Sequence, residues 1–363
     1  MIGQRKDDHV RLAAEQQRAH SGSNQFDEVS FVHHALAGID RPDVSLSTAF
    51  AGISWQVPLY INAMTGGSTK TGIINRDLAI AARETGVPLA SGSMSAYFKD
   101  PSCAGTFSVL RTQNPDGFVL ANVNATASVE KAQRAVDLLR ADALQIHINT
   151  VQETVMPEGD RSFSSWVPQI EKIAAAVDVP VIVKEVGFGL SRETVLTLRD
   201  LGVRVADLGG RGGTDFARIE NGRREFADYA HLHGWGLSTP ASLLDTRDAG
   251  IPVLASGGVR NPLDVVRALA LGASGVGVSG GFLRTLLDDG VTALIAQITT
   301  WLDQLAALQT MLGAPTPADL TRCDLTVHGD LRTFCIDRGI DTRSLARRSR
   351  SVGAPDELMG STR

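Results

Sequence analysis

Cysteine is scarce in this 363-residue chain: it has three, Cys103, Cys323 and Cys335, and no two form a CxxC pair or a metal-ligand spacing. An odd, sparse count argues against a disulfide framework and for a reducing compartment. An excess of basic charge is also missing. With 35 Lys+Arg against 40 Asp+Glu the formal net charge is −5, so no nucleic-acid footprint is expected and any anion must be held by a local cluster. Long apolar runs are absent as well. The uncharged apolar run between Arg267 and Arg284 is broken by five glycines and reads as helix end, turn and strand rather than a membrane span. Met1–His9 is charged and offers no secretory signal, so a cytoplasmic location without a membrane partner is expected.

What is present is globular: 43% hydrophobic and 21% charged residues, enough for one large α/β barrel with extensions or for two ordinary domains. Short β-rich runs fall at 57–62, 87–90, 117–121, 143–148, 180–185, 203–208, 251–256 and 275–279. Helical spacing fills 72–85, 128–140, 164–177, 191–201, 240–249 and 262–271, with a weaker candidate at 101–113. Strands alternating with helices imply parallel pairing through right-handed crossovers. Near-continuous apolar runs such as Val181-Ile-Val-Lys184 fit strands covered on both faces. Eight units point to a closed (β/α)8 TIM barrel, although alternation alone also admits an open doubly wound sheet. Residues 1–55 form an N-terminal extension too polar to belong to the barrel core. Residues 209–238 form a long Gly-, Arg- and Asp-rich insertion after the sixth strand, and loops of that length usually carry function or are disordered. An amphipathic helix is expected over 282–312, closing a single domain of 1–312. Residues 313–363 then form a C-terminal helical extension whose end, with Arg347-Arg-Ser-Arg-Ser351, is expected to be a mobile tail.

The segment Ala143–Gly159 begins as an apolar strand and ends in His147, Asn149, Gln152 and Glu153. Strand ends that release polar side chains into one loop are typical of a barrel mouth, where active sites sit. His147 and Asn149 alternate with Ile146 and Ile148, so they share one side of the strand. Other strand ends carry Asn62-Ala-Met-Thr-Gly-Gly67, Ser91-Gly-Ser93, Asn122, Lys184-Glu-Val-Gly187, Gly209-Gly-Arg-Gly-Gly-Thr214, Ser256-Gly-Gly-Val-Arg-Asn261 and Ser279-Gly-Gly281. Gly257, Gly258, Ser279 and Gly280 stand at the two loops that commonly bind phosphate through backbone N–H groups. Lys184 needs a partner to offset its burial, either Glu185 or an anionic ligand atom. Arg5-Lys-Asp-Asp-His9 is a second cation cluster, readable by itself as a solvated terminus.

From Arg5 to about Gly281 these motifs, in this order, together with Leu144-Gln-Ile-His-Ile-Asn149, Val151-Gln-Glu153 and Met156-Pro-Glu-Gly-Asp160, resemble type 2, flavin-dependent isopentenyl diphosphate isomerase, nearest its actinobacterial members. The resemblance implies a TIM barrel that binds FMN at its mouth and interconverts isopentenyl and dimethylallyl diphosphate, with reduced FMN active and NADPH as reductant. It assigns Ala63, Met64, Thr65, Ser93, Asn122, Lys184, Thr214, Gly257, Gly258, Arg260, Ser279 and Gly280 to the flavin. Arg5, Lys6, His9 and Ser93, with Ser95, fall to the substrate diphosphate. His147, Asn149 and Gln152 line the substrate, and Glu153 takes magnesium, a hard cation suited to a carboxylate and phosphate oxygens. Glu220 matches an acidic position near the substrate, against its plainer reading as a surface salt bridge. The family suggests homotetramers or octamers.

The sequence departs from the family at Ser95, where arginine is common, so a diphosphate contact falls elsewhere, with Lys99 a candidate. Gly209 stands where serine is common. The main rival is an FMN barrel oxidoreductase acting on a small anionic substrate. It requires a His–Arg pair near the flavin or a cysteine in the loop after the sixth strand. Residues 209–214 hold no cysteine, and His231 and His233 lack a strand-end context. A silent flavin- or prenyl-diphosphate-binding regulator would have no need for Gln152 and Glu153 together.

Overall fold

The computed structural model describes residues 2–19, 24–224, 226 and 228–352, with the side chains of residues 2–6 and 350–352 outside the described set. The strands, in chain order, are β1 (Val29–Phe31), β2 (Thr48–Phe50), β3 (Ile53–Trp55), β4 (Leu59–Ile61), β5 (Leu89–Ala90), β6 (Val119–Asn124), β7 (Ala143–His147), β8 (Val181–Lys184), β9 (Val205–Asp207), β10 (Val253–Ser256), β11 (Gly275–Val278) and β12 (Leu325–Val327). Strands β4 to β11 close into an eight-stranded barrel in sequence order, β11 pairing back onto β4 with Val276 opposite Leu59. Every barrel pair is parallel. The open-sheet alternative is thereby removed. Each expected strand is present, trimmed by a residue or two at most ends.

Helices follow the strands on the outer face. Five expected helices start at real caps: the Ser68, Ser128, Ser191, Ser238 and Asn261 side chains each accept a backbone N–H of the first turn. The stretch after β5 is helical over Gly105–Gln113, and the helix after β11 runs Gly280–Leu312. That last helix is long and apolar enough to cross a membrane by length and composition, but buried Leu294, Ile298, Trp301 and Leu305 pack one face into the protein. Gly290, at φ 86°, breaks its helical geometry one third of the way along.

Three expectations need correction. Residues 48–55 are not excluded from the core: β2 and β3 form a hairpin whose Phe50, Ile53 and Trp55 join Tyr60, Leu120, Ile182, Val205 and Leu254 inside the barrel. Trp55 stacks edge-on with Phe50 at 5.0 Å and with Phe118 at 5.7 Å, plugging the end where the strands start. Composition averaged over 1–55 hid this apolar patch. The insertion after β9 is also more ordered than a loop, with a helix at Phe216–Asn221 and a 3-10 turn at Ala230–Leu232. Thirdly, the Arg347–Ser351 segment expected as a mobile tail is held at Arg348 and Ser349. Arg348 donates to the carbonyls of Cys323, Ala270 and Leu320, and Ser349 Oγ donates to Asp324 at 2.8 Å. Residues 353–363 lie outside the described residues. The N- and C-terminal extensions meet in one antiparallel pair, Val29 of β1 opposite Val327 of β12.

Candidate active site

The carboxyl ends of all eight barrel strands open on one cavity of about 630 Å³. Its lining contains Ala63, Met64, Thr65, Ser93, Ser95, Asn122, His147, Asn149, Gln152, Glu153, Lys184, Thr214, Gly257, Gly258, Arg260, Ser279 and Gly280, which are residues singled out in the sequence. The N-terminal helix Ile2–Ala19 lies across the mouth and adds His9, Val10, Ala13 and Gln17. It is tied down by Gln16, which exchanges two hydrogen bonds with the Asp215 backbone at 2.9 and 3.1 Å, and by Asp7, which accepts from Ser68 Oγ at 2.7 Å. Arg5 and Lys6 belong to this helix, but their side chains lie outside the described residues.

One wall is built by a short helix where the sequence suggested a loop. The chain leaves β7 at His147, turns at Asn149 and forms the helix Thr150–Val155. Asn149, Gln152 and Glu153 therefore share one helical face, at i, i+3 and i+4. The Asn149 amide donates to Gln152 Oε1 at 3.1 Å and to Glu153 Oε1 at 3.0 Å, instead of capping the helix. The other Glu153 oxygen accepts from the Asp160 N–H at 2.8 Å. Glu153 stands without a metal-binding cluster: among the described residues no group of three His, Cys, Asp or Glu could hold an ion. A cation there must draw its remaining ligands from substrate and water.

Glu220 is neither on the surface nor in the lining. It is fully buried on the helix Phe216–Asn221 of the insertion, behind Gln152. Gln152 Nε2 donates to Glu220 Oε1 at 2.9 Å, His9 Nε2 lies 3.0 Å from the same oxygen, and Arg223 bonds the other. Burial pushes the Glu220 carboxyl upward, but the contacts from His9, Gln152 and Arg223 together outweigh it and hold it below its ordinary value. A helix of the insertion, a helix of the β7 wall and the N-terminal helix thus meet at one carboxylate.

On the neighbouring strand β8, where it pairs in register with His147, Lys184 is buried and donates from Nζ to the Glu185 backbone carbonyl at 2.6 Å. The Glu185 carboxylate turns away to accept the N–H groups of Gly187 and Phe188 at 2.6 and 2.5 Å. Side-chain pairing with Glu185, the plainer reading of Lys184, is therefore not what is found. Among the described residues no carboxylate forms an ion pair with Lys184, so its charge faces the cavity without a side-chain counterion. The Thr65 hydroxyl, also buried in the lining, has no hydrogen-bond partner among the described residues.

The β10 and β11 ends form a cradle of backbone. Gly257 has φ +94°, and a Cβ there would sit 1.9 Å from the Gly210 carbonyl oxygen, so only glycine closes this turn. The 33-residue helix beginning at Gly280 opens beside it, and Ser279 makes no side-chain cap. First-turn N–H groups lack intrahelical acceptors and favour an anion. A buried lysine without a counterion, an orphaned hydroxyl and this cradle fit a flat ligand that carries a phosphate. Arg260, expected at the flavin, stands in the lining. Its guanidinium is held by Asp27 at 2.6 and 2.8 Å and by Asp264 at 2.8 and 3.1 Å, which fastens the segment before β1 to the cradle.

Several lining or supporting residues were not singled out in the sequence. Lys131, at the start of the helix after β6, joins Lys99 on the lining, while Phe98 and Phe216 add apolar wall. No local motif marks them, because each reaches the mouth only once the barrel has closed. Asp207, fully buried beneath the cavity, falls within the expected strand 203–208 and carries no motif of its own. The histidines of the lining are His9 and His147; His231 and His233 are not part of it.

Residues 110–327 match the FMN-dependent dehydrogenase family. The chain is 78% identical over 360 residues, 99% of both chains, to isopentenyl-diphosphate delta-isomerase of Streptomyces sp. (strain CL190), and 76% identical over the same shares to that of Kitasatospora griseola. It is 63% identical to the enzyme of the same name from Nocardia farcinica, over 96% of this chain and 97% of that one. Solved structures share the fold at low identity. A chimera of (S)-mandelate dehydrogenase superposes with TM-score 0.62 at 18% identity, covering 89% of this chain and 99% of that one. An L230A mutant of flavocytochrome b2 gives 0.62 at 21%, covering 85% and 77%.

Proposed function

This chain belongs to the isopentenyl-diphosphate delta-isomerase family, in its flavin-dependent type 2 form, and from the cavity we propose how its side chains divide the work. The protein is an FMN-dependent isopentenyl-diphosphate delta-isomerase acting in isoprenoid biosynthesis. Moving the double bond to give dimethylallyl diphosphate adds a proton at one carbon and removes another at the allylic carbon, with no net electron transfer. Positive charge developing between those steps is costly in a water-poor cavity unless the surroundings answer it. Reduced FMN, when bound, supplies an electron-rich face and an exchangeable proton, with NADPH as the source of its electrons.

The residues of this chain do the remainder. Ala63, Met64, Thr65, Ser93, Asn122 and Thr214 line the ligand, and Gly257, Gly258, Ser279 and Gly280 offer backbone donors to its phosphate. Lys184 meets its anionic edge. His9, with Arg5 and Lys6 on the same helix, answers the substrate diphosphate from the lid, while Ser93, Ser95, Lys99 and Lys131 answer it from the rim. Glu153 would hold Mg²⁺, a hard cation that would help neutralise the diphosphate charge. Gln152 faces the prenyl chain with His147 and Asn149, and Glu220 keeps its amide in one orientation. The observation that carries this reading is the Asn149–Gln152–Glu153 face backed by buried Glu220, beside a lysine on the next strand with no side-chain counterion. An oxidoreductase of the same fold would need a His–Arg pair or a cysteine there, and the lining has no cysteine. Arg260, the arginine in the lining, is already engaged by two carboxylates. The reading places the enzyme in the cytoplasm as a homotetramer or octamer.

The test is an anaerobic incubation with isopentenyl diphosphate, Mg²⁺ and prereduced FMN in D₂O. Deuterated dimethylallyl diphosphate should form while the flavin stays reduced. Flavin oxidised in step with product would overturn the redox-neutral assignment in favour of hydride transfer.

A further inference from the structure

Below the cavity floor, β4, β7, β9 and β10 send polar side chains to one point inside the barrel. Asp207 is fully buried there and accepts four hydrogen bonds. Its Oδ2 accepts from Tyr60 OH at 2.6 Å, Asn62 Nδ2 at 2.9 Å and Gln145 Nε2 at 3.2 Å, and its Oδ1 from Ser256 Oγ at 2.6 Å. Among the described residues no cation pairs with it. Burial and the neighbouring Asp207 charge raise the Tyr60 phenol well above its ordinary value, so Tyr60 remains a donor.

An ionised carboxylate only accepts, so each group touching Asp207 must present a proton. That fixes the direction of the next amides outward. Gln145 Nε2, turned to Asp207, also donates to Asn62 Oδ1 at 3.1 Å, an oxygen that accepts from the Ala63 N–H at 2.7 Å. Gln145 Oε1 is left to accept from Asn122 Nδ2 at 2.8 Å. Asn122 Oδ1 then faces His147 Nδ1 at 2.9 Å. An amide oxygen cannot donate, so the proton of the neutral imidazole sits on Nδ1 and its lone pair on Nε2. Rotating any one amide would set N–H against N–H or oxygen against oxygen at the next step.

We infer that Asp207 is a positioning residue for the isomerisation: through Gln145 and Asn122 it holds His147 in the Nδ1–H tautomer, so that the ring meets substrate through an accepting nitrogen. This rests on the assignment of His147 to the substrate side of the cavity. A carboxylate that merely tied four strands together would leave the tautomer of a ring three residues along the chain of bonds unaffected.

The experiment is ¹⁵N magic-angle-spinning NMR on protein labelled at histidine, with FMN bound and at a pH where the His147 ring is neutral. The His147 resonances are assigned by their loss in His147→Gln. In the wild-type protein Nδ1 should be protonated and Nε2 not. Gln145→Leu, which cuts the chain, should lower the ratio of the Nδ1–H to the Nε2–H tautomer about fivefold, the weight of one neutral hydrogen bond. Asp207→Ala should do the same. Asp207→Asn should restore the wild-type ratio, since its amide oxygen can accept from Gln145 while its NH₂ turns to Ser256. An Nε2–H tautomer in the wild type, or a ratio unmoved by Gln145→Leu, overturns the inference even where Asp207→Ala does not fold. Unchanged turnover in His147→Gln would instead overturn the substrate-side assignment, and with it Asp207's part in the reaction, while the tautomer result stood.

Discussion

Gln152 donates its side-chain N–H to Glu220 at 2.9 Å, and Glu220 exposes none of its surface. The two come from segments 68 residues apart, the wall after β7 and the insertion after β9, and they hold each other in place. Gln152→Leu keeps the size of the side chain and removes its amide. A group that handles or orients a proton in the transition state contributes roughly 10²–10⁴-fold, so turnover should fall by at least about a hundredfold in that variant. FMN affinity should change little, because Gln152 follows β7, across the barrel from the glycine cradle at the ends of β10 and β11. Glu220→Gln keeps the contact but lets the amides reorient, and should cost less than Gln152→Leu. Steady-state kinetics beside flavin titration checks both; a Gln152→Leu enzyme with normal turnover removes this residue from the chemistry.

Glu153 has both carboxylate oxygens already oriented, one by Asn149 at 3.0 Å and one by the Asp160 N–H at 2.8 Å. Preorientation of a ligating carboxylate by such contacts commonly carries about 10–100-fold in metal affinity. Glu153→Gln should therefore raise the Mg²⁺ concentration for half-maximal activity by about tenfold or more. Flavin binding should be untouched. Titrating Mg²⁺ into EDTA-stripped enzyme measures the shift, and an unchanged midpoint would move the metal away from this residue.

Lys184 donates to a backbone carbonyl, not to a carboxylate. Its charge is thus available to a ligand, and a hydrogen bond to a charged group is worth about 1.5–3 kcal/mol. Lys184→Met should weaken FMN binding by about 10–100-fold, as read by quenching of flavin fluorescence, while KM for isopentenyl diphosphate measured at saturating FMN stays within about threefold. Equal losses in both would point to general disruption of the barrel mouth.

The barrel was legible in the sequence because its signals are local. Runs such as Val181–Lys184 and turns such as Gly257-Gly258 carry strand and loop within a few residues. The same holds for His147, Asn149, Gln152 and Glu153, which one segment delivers together. What escaped the sequence depends on closure. Trp55 reads as part of a polar extension until the hairpin folds beneath the barrel. Asp207 reads as a strand residue until Tyr60, Asn62, Gln145 and Ser256 converge on it from three other strands. Arg260 stood beside a glycine cradle and was assigned to the ligand. Its two carboxylate partners include Asp27, 233 positions away, which no local pattern could supply.

Glu185 gives the pH dependence its direction. The carboxyl is buried, and burial pushes it from its ordinary 4.5 up to about 7, against the opposing pull of the Phe188 and Gly187 N–H groups and of Lys184. Between those values the folded protein keeps a proton that the unfolded chain has released, so the unfolded state binds fewer protons and stability falls as pH rises. The stabilisation is complete below about pH 4.5 and is lost by about pH 7, an effect on the order of 3 kcal/mol. Glu185→Gln retains an oxygen for the Gly187 and Phe188 N–H groups but cannot ionise. Urea midpoints measured at pH 5, 6 and 7.5 should therefore fall with pH more steeply in the wild type than in Glu185→Gln. Glu220 works in the opposite sense, since its lowered carboxyl adds stability above the ordinary value and loses it only in acid. Subtracting the variant from the wild type isolates Glu185, and parallel curves would mean that its carboxyl is already ionised in the folded protein at pH 5.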